Sequence, residues 1–302
     1  MHIFFGDGYL GNQLFQYSFI KFYIKPKKLF TTNFFPLQEF IENDKKLKIY
    51  SLENRVVVFF FRRIFIFILR FMSFIRLINS ISLDTHKYKG TTIESNKIKK
   101  KSGIIPLTFI YPHFFQNKKF HNINNRKKIK IKKKYLNRAK IFLDNISKDK
   151  NKIIFFHIRL GQKTKHHYHT SNEKNDVQKF TIFGKKGTRL PNSYYIQQLN
   201  FFKSKYPNSK FLIISDNVVL AKKIFSDLKN IFFSNLNLYE DLALLSLCSY
   251  GVLSNSSFSW WGHYFMKKPK LIVVPKYWLG WKSKKEFPLG ITPRYVKQYP
   301  IR

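Results

Sequence analysis

The sequence predicts an α/β protein built on parallel sheets. Short apolar runs alternate with helical patterns through the second half of the chain, which is typical of parallel strands joined by right-handed crossovers. The first residues read in turn as a strand, a glycine loop and a helix start. The 302 residues are 44% hydrophobic and include 34 Phe and 17 Tyr, enough for a large core and for two domains or one large one.

The strongly positive charge of the chain indicates which kinds of partner it could bind. With a formal net charge of +40, candidate partners are nucleic acid, an anionic membrane surface and an anionic substrate. Lysine is abundant together with Ile, Asn, Phe and Tyr, as in a compositionally biased genome. Much of the lysine is therefore expected on solvated faces, and no nucleic-acid partner is predicted.

Cysteine content and the N-terminal residues indicate the compartment. The single cysteine, Cys248, excludes an internal disulfide framework and fits a reducing environment. Strand and glycine loop begin at once, so neither a signal peptide nor an N-terminal anchor is expected. The sequence therefore predicts a cytoplasmic protein.

The N-terminal glycine loop indicates a ligand site. His2–Phe5 reads as a strand, and Gly6–Gly11 then match G-x-G-x-x-G before a helix that opens at Asn12 and Gln13. A dinucleotide site needs an acidic residue about 20 positions further on. Residues 27–33 contain none, so NAD is disfavoured. What remains is a loop ending at Gly11 that lets the backbone approach a ligand, with Asn12 and Gln13 as polar donors.

Residues 56–81 are the most apolar stretch of the chain. Arginines interrupt it about every seventh position, at Arg62, Arg63, Arg70 and Arg76. No uninterrupted run reaches the roughly 18 residues that a spanning helix needs. The pattern fits a basic amphipathic helix in peripheral contact with an anionic membrane, at its inner face, or a domain helix whose arginines line a groove or face solvent.

The middle of the chain predicts the domain boundary. Residues 94–103 and 117–134 are rich in Lys and Asn and are expected to be solvated connections on either side of an aromatic segment, Tyr111–Gln116. A helical pattern follows. We expect the domains to divide near residue 150, as residues 1–150 and 151–302.

The second half alternates strands and helices. The predicted strands cover residues 152–156, 211–214, 251–253 and 271–275, and the predicted helices residues 191–205, 218–228 and 239–250. A polar loop over residues 163–190 carries His166, His167 and His169. Because no Cys, Asp or Glu accompanies them at ligand spacing, no metal site is predicted.

The stretch Ser254–His263 lies in a predicted strand-to-helix turn. Free backbone N–H groups and the positive end of the helix dipole make such a turn an anion site. A simple N-cap is the alternative, since Ser and Asn are preferred caps. One Ser would be enough for a cap, and this stretch holds four hydroxyls and two adjacent Trp.

Three polar segments share one predicted sheet edge. His157–Arg159, Ser215–Asn217 and Asn255–Ser259 each follow a predicted strand, and open α/β sheets bind ligands beyond the carboxyl ends of their strands. An arginine, a helix N-terminus and a carboxylate there suit a nucleotide diphosphate: Arg159 and the helix N–H groups on phosphates, Asp216 on base or ribose. His157 and Asp216 as capping or packing groups are the alternative.

These segments resemble the motifs of bacterial α-1,2-fucosyltransferases, glycosyltransferase family 11, which are related to α-1,6- and protein O-fucosyltransferases. The resembling segments, in family order, are Gly11–Tyr17, Tyr111–Phe120, His157–Gly161, Ser215–Asp216 and Ser254–Gly262. The last resembles A-N-S-S-F-S-W-W-G and is very specific, whereas the His-x-Arg part of the third would be weak alone.

The resemblance implies a GT-B-like fold of two Rossmann-like domains facing a cleft. It implies an acceptor-side domain in residues 1–150 and a GDP-sugar-binding domain in residues 151–302. The implied reaction is inverting transfer of fucose from GDP-fucose to a galactose-containing acceptor glycan in α-1,2 linkage, without metal or other cofactor. Such products belong to surface polysaccharides or oligosaccharides.

The resemblance also implies residue roles. Arg159 would hold the donor pyrophosphate, while His157 and Asp216 would line the guanosine pocket. Asn12 would reach the pyrophosphate or the acceptor. The phosphates would be held from the other side by the turn of Ser256, Ser257, Phe258 and Ser259.

Two positions depart from the family pattern, and no base is obvious. Leu160 stands for the second Arg of H-x-R-R-G-D, and Gln162 for its Asp. Asp7 beside the glycine loop and His157 are the candidate general bases. Catalysis by positioning and leaving-group stabilisation alone is the third option. Rival functions are fucosyl transfer in another linkage (α-1,6 or protein O-linked), a basic nucleic-acid-binding protein, and an inactive relative.

Overall fold

The computed structural model describes residues 1–52, 55–161, 180–225 and 229–301, with the backbone alone at 55–61. The chain forms two compact units, one made of Met1–Lys87 and Thr92–Lys130, the other of Tyr88–Thr91 and Ile131–Arg302. Each unit holds a six-stranded sheet with helices, which confirms the predicted α/β class and two Rossmann-like domains.

The first unit is built on a sheet with parallel central strands. Its strands are β1 (His2–Phe5), β2 (Lys28–Thr32), β3 (Lys48–Leu52), β4 (Ile78–Tyr88), β5 (Thr91–Lys101) and β6 (Ile105–Ile110). Its helices are α1 (Leu10–Phe19), α2 (Phe35–Phe40) and α3 (Arg55–Phe74). The strand order is β3-β2-β1-β6-β4-β5, and β1 pairs in parallel with both β2 and β6. The loops after β1 and β6 therefore leave the sheet side by side.

Residues 94–103 are not the solvated connection that their lysine content predicted. All but the last two belong to β5, at the edge of the first sheet. Lysine suits an edge strand because its charge faces solvent and discourages pairing with other chains. Composition therefore concealed a strand. In the other expected connection, residues 118–120 and 123–128 form 3₁₀ turns.

Helix α3 packs one side on the first sheet. Leu69 is buried in a cluster with Phe5, Ile78 and Phe109, and Ile66 packs against that cluster. The predicted helix is confirmed as far as Phe74, whereas residues 78–81 of the same apolar stretch begin β4. Among the helices in the described part of the chain, none is long and apolar enough to cross a bilayer.

The second unit has a doubly wound sheet. Its strands are β7 (Ile153–Ile158), β8 (Thr181–Ile182), β9 (Lys185–Lys186), β10 (Lys210–Ser215), β11 (Ile231–Phe233), β12 (Tyr250–Val252), β13 (Leu271–Pro275) and β14 (Lys297–Tyr299). Its helices are α4 (Lys133–Ile146), α5 (Asn192–Lys205), α6 (Val218–Ile224), α7 (Leu238–Leu247) and α8 (Ser257–Phe265). The main sheet runs β11-β10-β7-β12-β13-β14 with every pair parallel, and β8 with β9 forms a separate antiparallel pair.

The units divide between Lys130 and Ile131, ahead of the predicted position near residue 150. The reason is α4, which the sequence analysis assigned to the first domain. It packs on α7 and therefore belongs to the second unit. The roles of acceptor side and donor side for the two halves stay predictions.

The two adjacent tryptophans pack inside the second unit. Trp260 and Trp261 are fully buried on α8, and the Trp260 Nε1–H donates to the Ile291 carbonyl at 2.9 Å. Gly262 lets α8 approach α7, since a Cβ there would lie 2.6 Å from Leu245 Cβ. The Trp pair thus belongs to the core, and its place beside the serine turn does not make it part of a ligand site.

Candidate active site

The strand order of the second sheet reverses between β7 and β12. From β7 the chain proceeds outward through β10 and β11, and it then returns to the other side of β7 for β12, β13 and β14. The carboxyl ends lie in register, with Ile158 opposite Ser215 and Phe156 opposite Val252. Ligands of doubly wound sheets bind at such a switch point. The segments after β7, β10 and β12 meet there, as the sequence predicted.

Arg159 is held at this edge by Asp216. The Arg159 Nη1 lies 2.8 Å from Asp216 Oδ2, with the arginine side chain 25% exposed and the aspartate 7%. The same carboxylate accepts the backbone N–H groups of Leu160 at 2.7 Å and Gly161 at 3.0 Å. Asp216 therefore fixes the cation and the turn after β7, whereas the family resemblance implied a guanosine contact. Leu160 is buried in the core, so it offers no phosphate contact.

His157 is a buried, neutral side chain. Its Nδ1 lies 2.7 Å from Ser254 Oγ, and its ring centroid lies 5.3 Å from that of Phe258. Burial, with a smaller contribution from the Arg159 charge, lowers the pKa of His157 to about 3. Such an imidazole is a weak base at neutral pH. The contacts instead fix the start of the serine turn against β7.

The first turn of α8 is not capped by its own side chains. Ser256 is the N-cap residue with extended backbone, and its side chain makes no capping hydrogen bond. Ser256, Ser257 and Phe258 are half-buried. An uncapped turn has N–H groups directed at an anion. The predicted anion site is thus structurally available, and the simple cap is not what the structure has.

Two other members of the motif hold backbone. Asn255 Nδ2 donates to the Thr188 carbonyl at 2.7 Å. Ser259 Oγ lies 3.2 Å from the Ser254 carbonyl and 3.1 Å from that of Ser256, both within donating distance. Both side chains are buried. They shape the turn from behind, so their predicted ligand contacts stay predictions.

Arg189 was not among the candidate residues of the sequence. It directly follows Thr188, whose carbonyl accepts a hydrogen bond from Asn255 Nδ2 at 2.7 Å. Its own Nη2 donates to Asn192 Oδ1 at 3.3 Å, at the start of α5. Only the fold brings this part of the polar loop next to the serine turn, because the two segments are far apart in sequence.

In the first unit, the glycine loop and the aromatic segment meet after β1 and β6. Gln116 Nε2 donates to Asn12 Oδ1 at 2.8 Å, across 104 residues of sequence. Gly8 has φ +74°, and a Cβ there would lie 2.4 Å from Asn12 Nδ2. Helix α1 also lacks a side-chain cap. Two of the resembling motifs therefore form one polar site at the edge of the sheet.

Gln13 and Gly11 are internal in this arrangement. The Gln13 Nε2 group donates to the carbonyls of Gly8 at 3.0 Å and Asn33 at 2.8 Å, and its Oε1 accepts the Leu37 N–H at 3.2 Å. Gly11 is buried in the first turn of α1. Gln13 thus ties the loop to neighbouring backbone, and its predicted contact with substrate remains a prediction.

Asp7 is paired with an arginine that the sequence grouped elsewhere. Arg62 Nη1 on α3 lies 3.8 Å from Asp7 Oδ1, and the Gly8 N–H donates to the same oxygen at 2.8 Å. Asp7 is exposed. Arg62 therefore faces the edge of the first sheet, whereas Arg63, Arg70 and Arg76 are exposed.

A carboxylate–imidazole pair in the first unit was not predicted from the sequence. His113 Nδ1 lies 3.3 Å from Glu94 Oε1, and the Glu94 carboxylate also accepts the N–H groups of Phe114 at 3.0 Å and Phe115 at 3.1 Å. His113 belongs to the predicted aromatic segment, whereas Glu94 lies in a stretch predicted to be a solvated connection. No local signal links them, because the pairing depends on β5 joining the sheet.

The remaining residues named from the sequence are Gln162 and the histidines of the polar loop. Gln162, His166, His167 and His169 lie outside the described residues. Among the residues that are described, no group of three or more His, Cys, Asp and Glu could hold a metal ion.

The two Rossmann-like units have the GT-B fold, and the switch point of the second unit holds an arginine and a helix N-terminus. The fold is similar to that of a glycosyl transferase of family 9 from Veillonella parvula, with TM-score 0.50 and 11% identity, covering 99% of this chain and 85% of that one. The model of glycosyl transferase family 11 matches residues 5–286, and the chain belongs to that family.

Two curated relatives from Escherichia coli match shorter segments. The chain is 38% identical over 74 residues to an alpha-1,2-colitosyltransferase, covering 23% of this chain and 26% of that protein. It is 27% identical over 100 residues to the O-antigen biosynthesis glycosyltransferase WbnK, covering 32% of this chain and 33% of that protein. The matched segments thus span about a quarter to a third of these relatives.

Proposed function

We propose that the protein transfers fucose from GDP-fucose to a galactoside hydroxyl of a glycan, with inversion and in α-1,2 linkage. The observation that carries the proposal is that Arg159 and the uncapped first turn of α8 both lie at the carboxyl edge of one sheet, beside its switch point. A cation and N–H groups directed at one crevice suit a diphosphate. Membership of family 11 and the resemblance of the motifs to fucosyltransferases support the sugar and the nucleotide.

In the proposed reaction, the bond between fucose C1 and the β-phosphate oxygen breaks as the acceptor oxygen attacks from the opposite face. Negative charge grows on departing GDP. Arg159 and the N–H groups at Ser257 and Phe258 stabilise that charge, a contribution of about 3 to 4 kcal/mol per donor in comparable sites. Asp216 keeps the guanidinium oriented before the donor arrives.

Arg189 is proposed as the second cation for the donor. Leu160 leaves the family's second arginine without an equivalent, and Arg189 directly follows Thr188, whose carbonyl holds Asn255 of the serine turn. His157 is proposed to shape the guanosine side through its contacts with Ser254 and Phe258.

For the acceptor proton we propose His113, oriented by Glu94. A carboxylate on Nδ1 leaves Nε2 to accept a proton, the usual arrangement of a general base. Asp7 is the second candidate, and its Oδ1 already lies 3.8 Å from Arg62 Nη1 and accepts the Gly8 N–H at 2.8 Å. Asn12 is proposed to contact the donor or the acceptor through its Nδ2 group.

Colitose is a second candidate for the transferred sugar. The observation in its favour is the 38% identity with an alpha-1,2-colitosyltransferase over 74 residues. The acceptor would then also be a glycan hydroxyl, and the phosphate site would serve unchanged.

The test is donor hydrolysis and transfer. The purified protein is incubated with GDP-fucose, GDP-mannose, nucleotide-activated colitose and UDP-sugars, with and without a β-galactoside. Galactoside-dependent release of GDP from GDP-fucose alone, with a 2-linked product by NMR, supports the proposal. Release only from activated colitose favours the second sugar, and release from no donor supports an inactive relative.

The cytoplasmic location of the protein stays a prediction.

A further inference from the structure

We propose that the outward side of α3 docks on an anionic lipid surface. This side, the α3 face, consists of large apolar side chains that are exposed: Ile64, Phe67, Ile68, Phe71 and Phe74 on the helix, and Ile75 directly after it. Their spacing of three and four residues places them on one stripe of the helix. Phe67 is 71% exposed and Phe74 75%. This inference is independent of the proposed function.

The opposite side of α3 already has its partner. Leu69 and Ser73 are buried, and Ile66 and Met72 pack on the cluster of the first sheet. The α3 face is therefore not needed to hold the helix against the first sheet. A contiguous apolar stripe of this size on a protein surface marks an interaction site.

The charges beside the α3 face indicate its partner. Arg63 and Arg70 are exposed and seven residues apart, so they lie together on one flank of the stripe, and exposed Arg76 follows the helix. Residues 55–76 contain no acidic residue. Apolar side chains flanked by cations fit an anionic bilayer, where the rings enter the acyl boundary and the arginines meet phosphate groups.

Ile104, which is hydrogen-bonded to the segment after α3, adds an exposed apolar side chain beside the α3 face. The Ile104 N–H donates to the Arg76 carbonyl at 3.1 Å, and the Ile104 side chain is 86% exposed. Since no described helix can cross a bilayer, α3 would lie in the interface. Arg62 takes no part because it faces Asp7.

A second copy of the chain fits this surface less well. In a two-fold interface the same patch meets itself, so both copies would bring Arg63 and Arg70 to an interface for which residues 55–76 supply no acidic partner. Like charges across an interface are costly. Anionic headgroups supply the missing countercharge.

The test is flotation of the full chain with vesicles of phosphatidylcholine alone and vesicles with about 30% phosphatidylglycerol. We expect binding to the anionic vesicles only, weakened at about 0.5 M salt. Phe67→Ser with Phe71→Ser and Phe74→Ser should reduce the partition coefficient about a hundredfold or more. Arg63→Gln with Arg70→Gln should reduce it about twenty-five-fold.

Matched controls are Lys222→Gln with Lys223→Gln, and Val219→Ser, all exposed positions on α6. These should bind like the parent chain. Equal loss in the controls, equal binding to neutral vesicles, or no vesicle binding by the parent chain would overturn the proposal. So would a dimer of the parent chain, in sedimentation without lipid, that the Phe variant converts to a monomer. Unchanged melting temperatures verify that the variants fold.

Discussion

The Asp216 carboxylate lies 2.8 Å from the Arg159 guanidinium and also accepts the backbone N–H groups of Leu160 and Gly161. One side chain after β10 thus fixes both the cation and the turn after β7. The cation is oriented before any donor binds, so less ordering is needed at that step. This relationship sets the expectations for Arg159.

Arg159→Lys should lose most transfer activity, at least about a hundredfold in kcat/KM. Lysine presents one ammonium, which cannot contact Asp216 and two phosphate oxygens in the planar geometry of a guanidinium. The measurement is steady-state kinetics with GDP-fucose. The control is Arg138→Lys, which should leave kcat/KM unchanged. The exposed Arg138 side chain has its Nε 3.6 Å from Glu240 Oε1. Near-normal activity of Arg159→Lys would remove the residue from the site.

Ser257→Ala and Ser259→Ala should separate binding from stability. Ser257 is half-buried in the uncapped turn, so its loss should weaken GDP binding in calorimetry with unchanged melting. Ser259 bonds the carbonyls of Ser254 and Ser256, so its loss should cost about 1 kcal/mol of folding free energy. If Ser257→Ala binds GDP as tightly as the parent chain, its hydroxyl is not a donor contact.

The buried His157 should make folding stability fall in acid. Its pKa is about 3 in the folded protein against an ordinary 6.5, so the unfolded chain binds more protons between these values. The associated stability is full above pH 6.5 and is lost progressively as pH falls toward 3. Between pH 7 and pH 5 the loss is about 2 kcal/mol for this one group.

The measurement is urea unfolding at pH 7 and pH 5 for the parent chain and His157→Gln. The variant should lose about 2 kcal/mol less over that interval, although it starts less stable. Buried His121 and His263, each with a pKa lowered to about 4, contribute in both proteins and cancel in the difference. An identical pH dependence of the two proteins would mean that His157 has the same pKa in the folded and the unfolded chain.

His113→Gln should lower kcat about a hundredfold and leave GDP affinity unchanged, because a general base acts on the acceptor and not on the nucleotide. Asp7→Asn should have a smaller effect. Kinetics with saturating donor and GDP calorimetry are the measurements. Phe35→Ser, an exposed position on α2, is a control. If His113→Gln keeps the kcat of the parent chain and Asp7→Asn is inactive, Asp7 is the general base and the role proposed for His113 is wrong.

Local patterns predicted the elements around the site well. The strands ending near His157, Ser215 and Leu253 and the helices after them lie where periodicity placed them, since alternation of apolar residues reports which side of an element is covered. The serine turn was predicted as an anion site from its hydroxyl content. Its uncapped geometry is consistent with that prediction.

Partners between distant residues were not predictable in the same way. Arginine spacing grouped Arg62 with Arg63, yet one faces Asp7 and the other solvent. Trp260 and Trp261 read as part of the ligand motif and are core residues. Composition assigned Glu94 to a connection, so its pairing with His113 had no sequence signal.

The sequence by itself determined the class of fold, the family motifs and the segments that supply the candidate site, because short-range periodicity and motif identity are properties of contiguous residues. Tertiary structure alone decided that the strand order reverses between β7 and β12, that Asp216 serves Arg159, and that α3 turns an apolar stripe outward. These depend on which elements pack together. That choice is made by burial and hydrogen bonding summed over the whole chain, which no single stretch encodes.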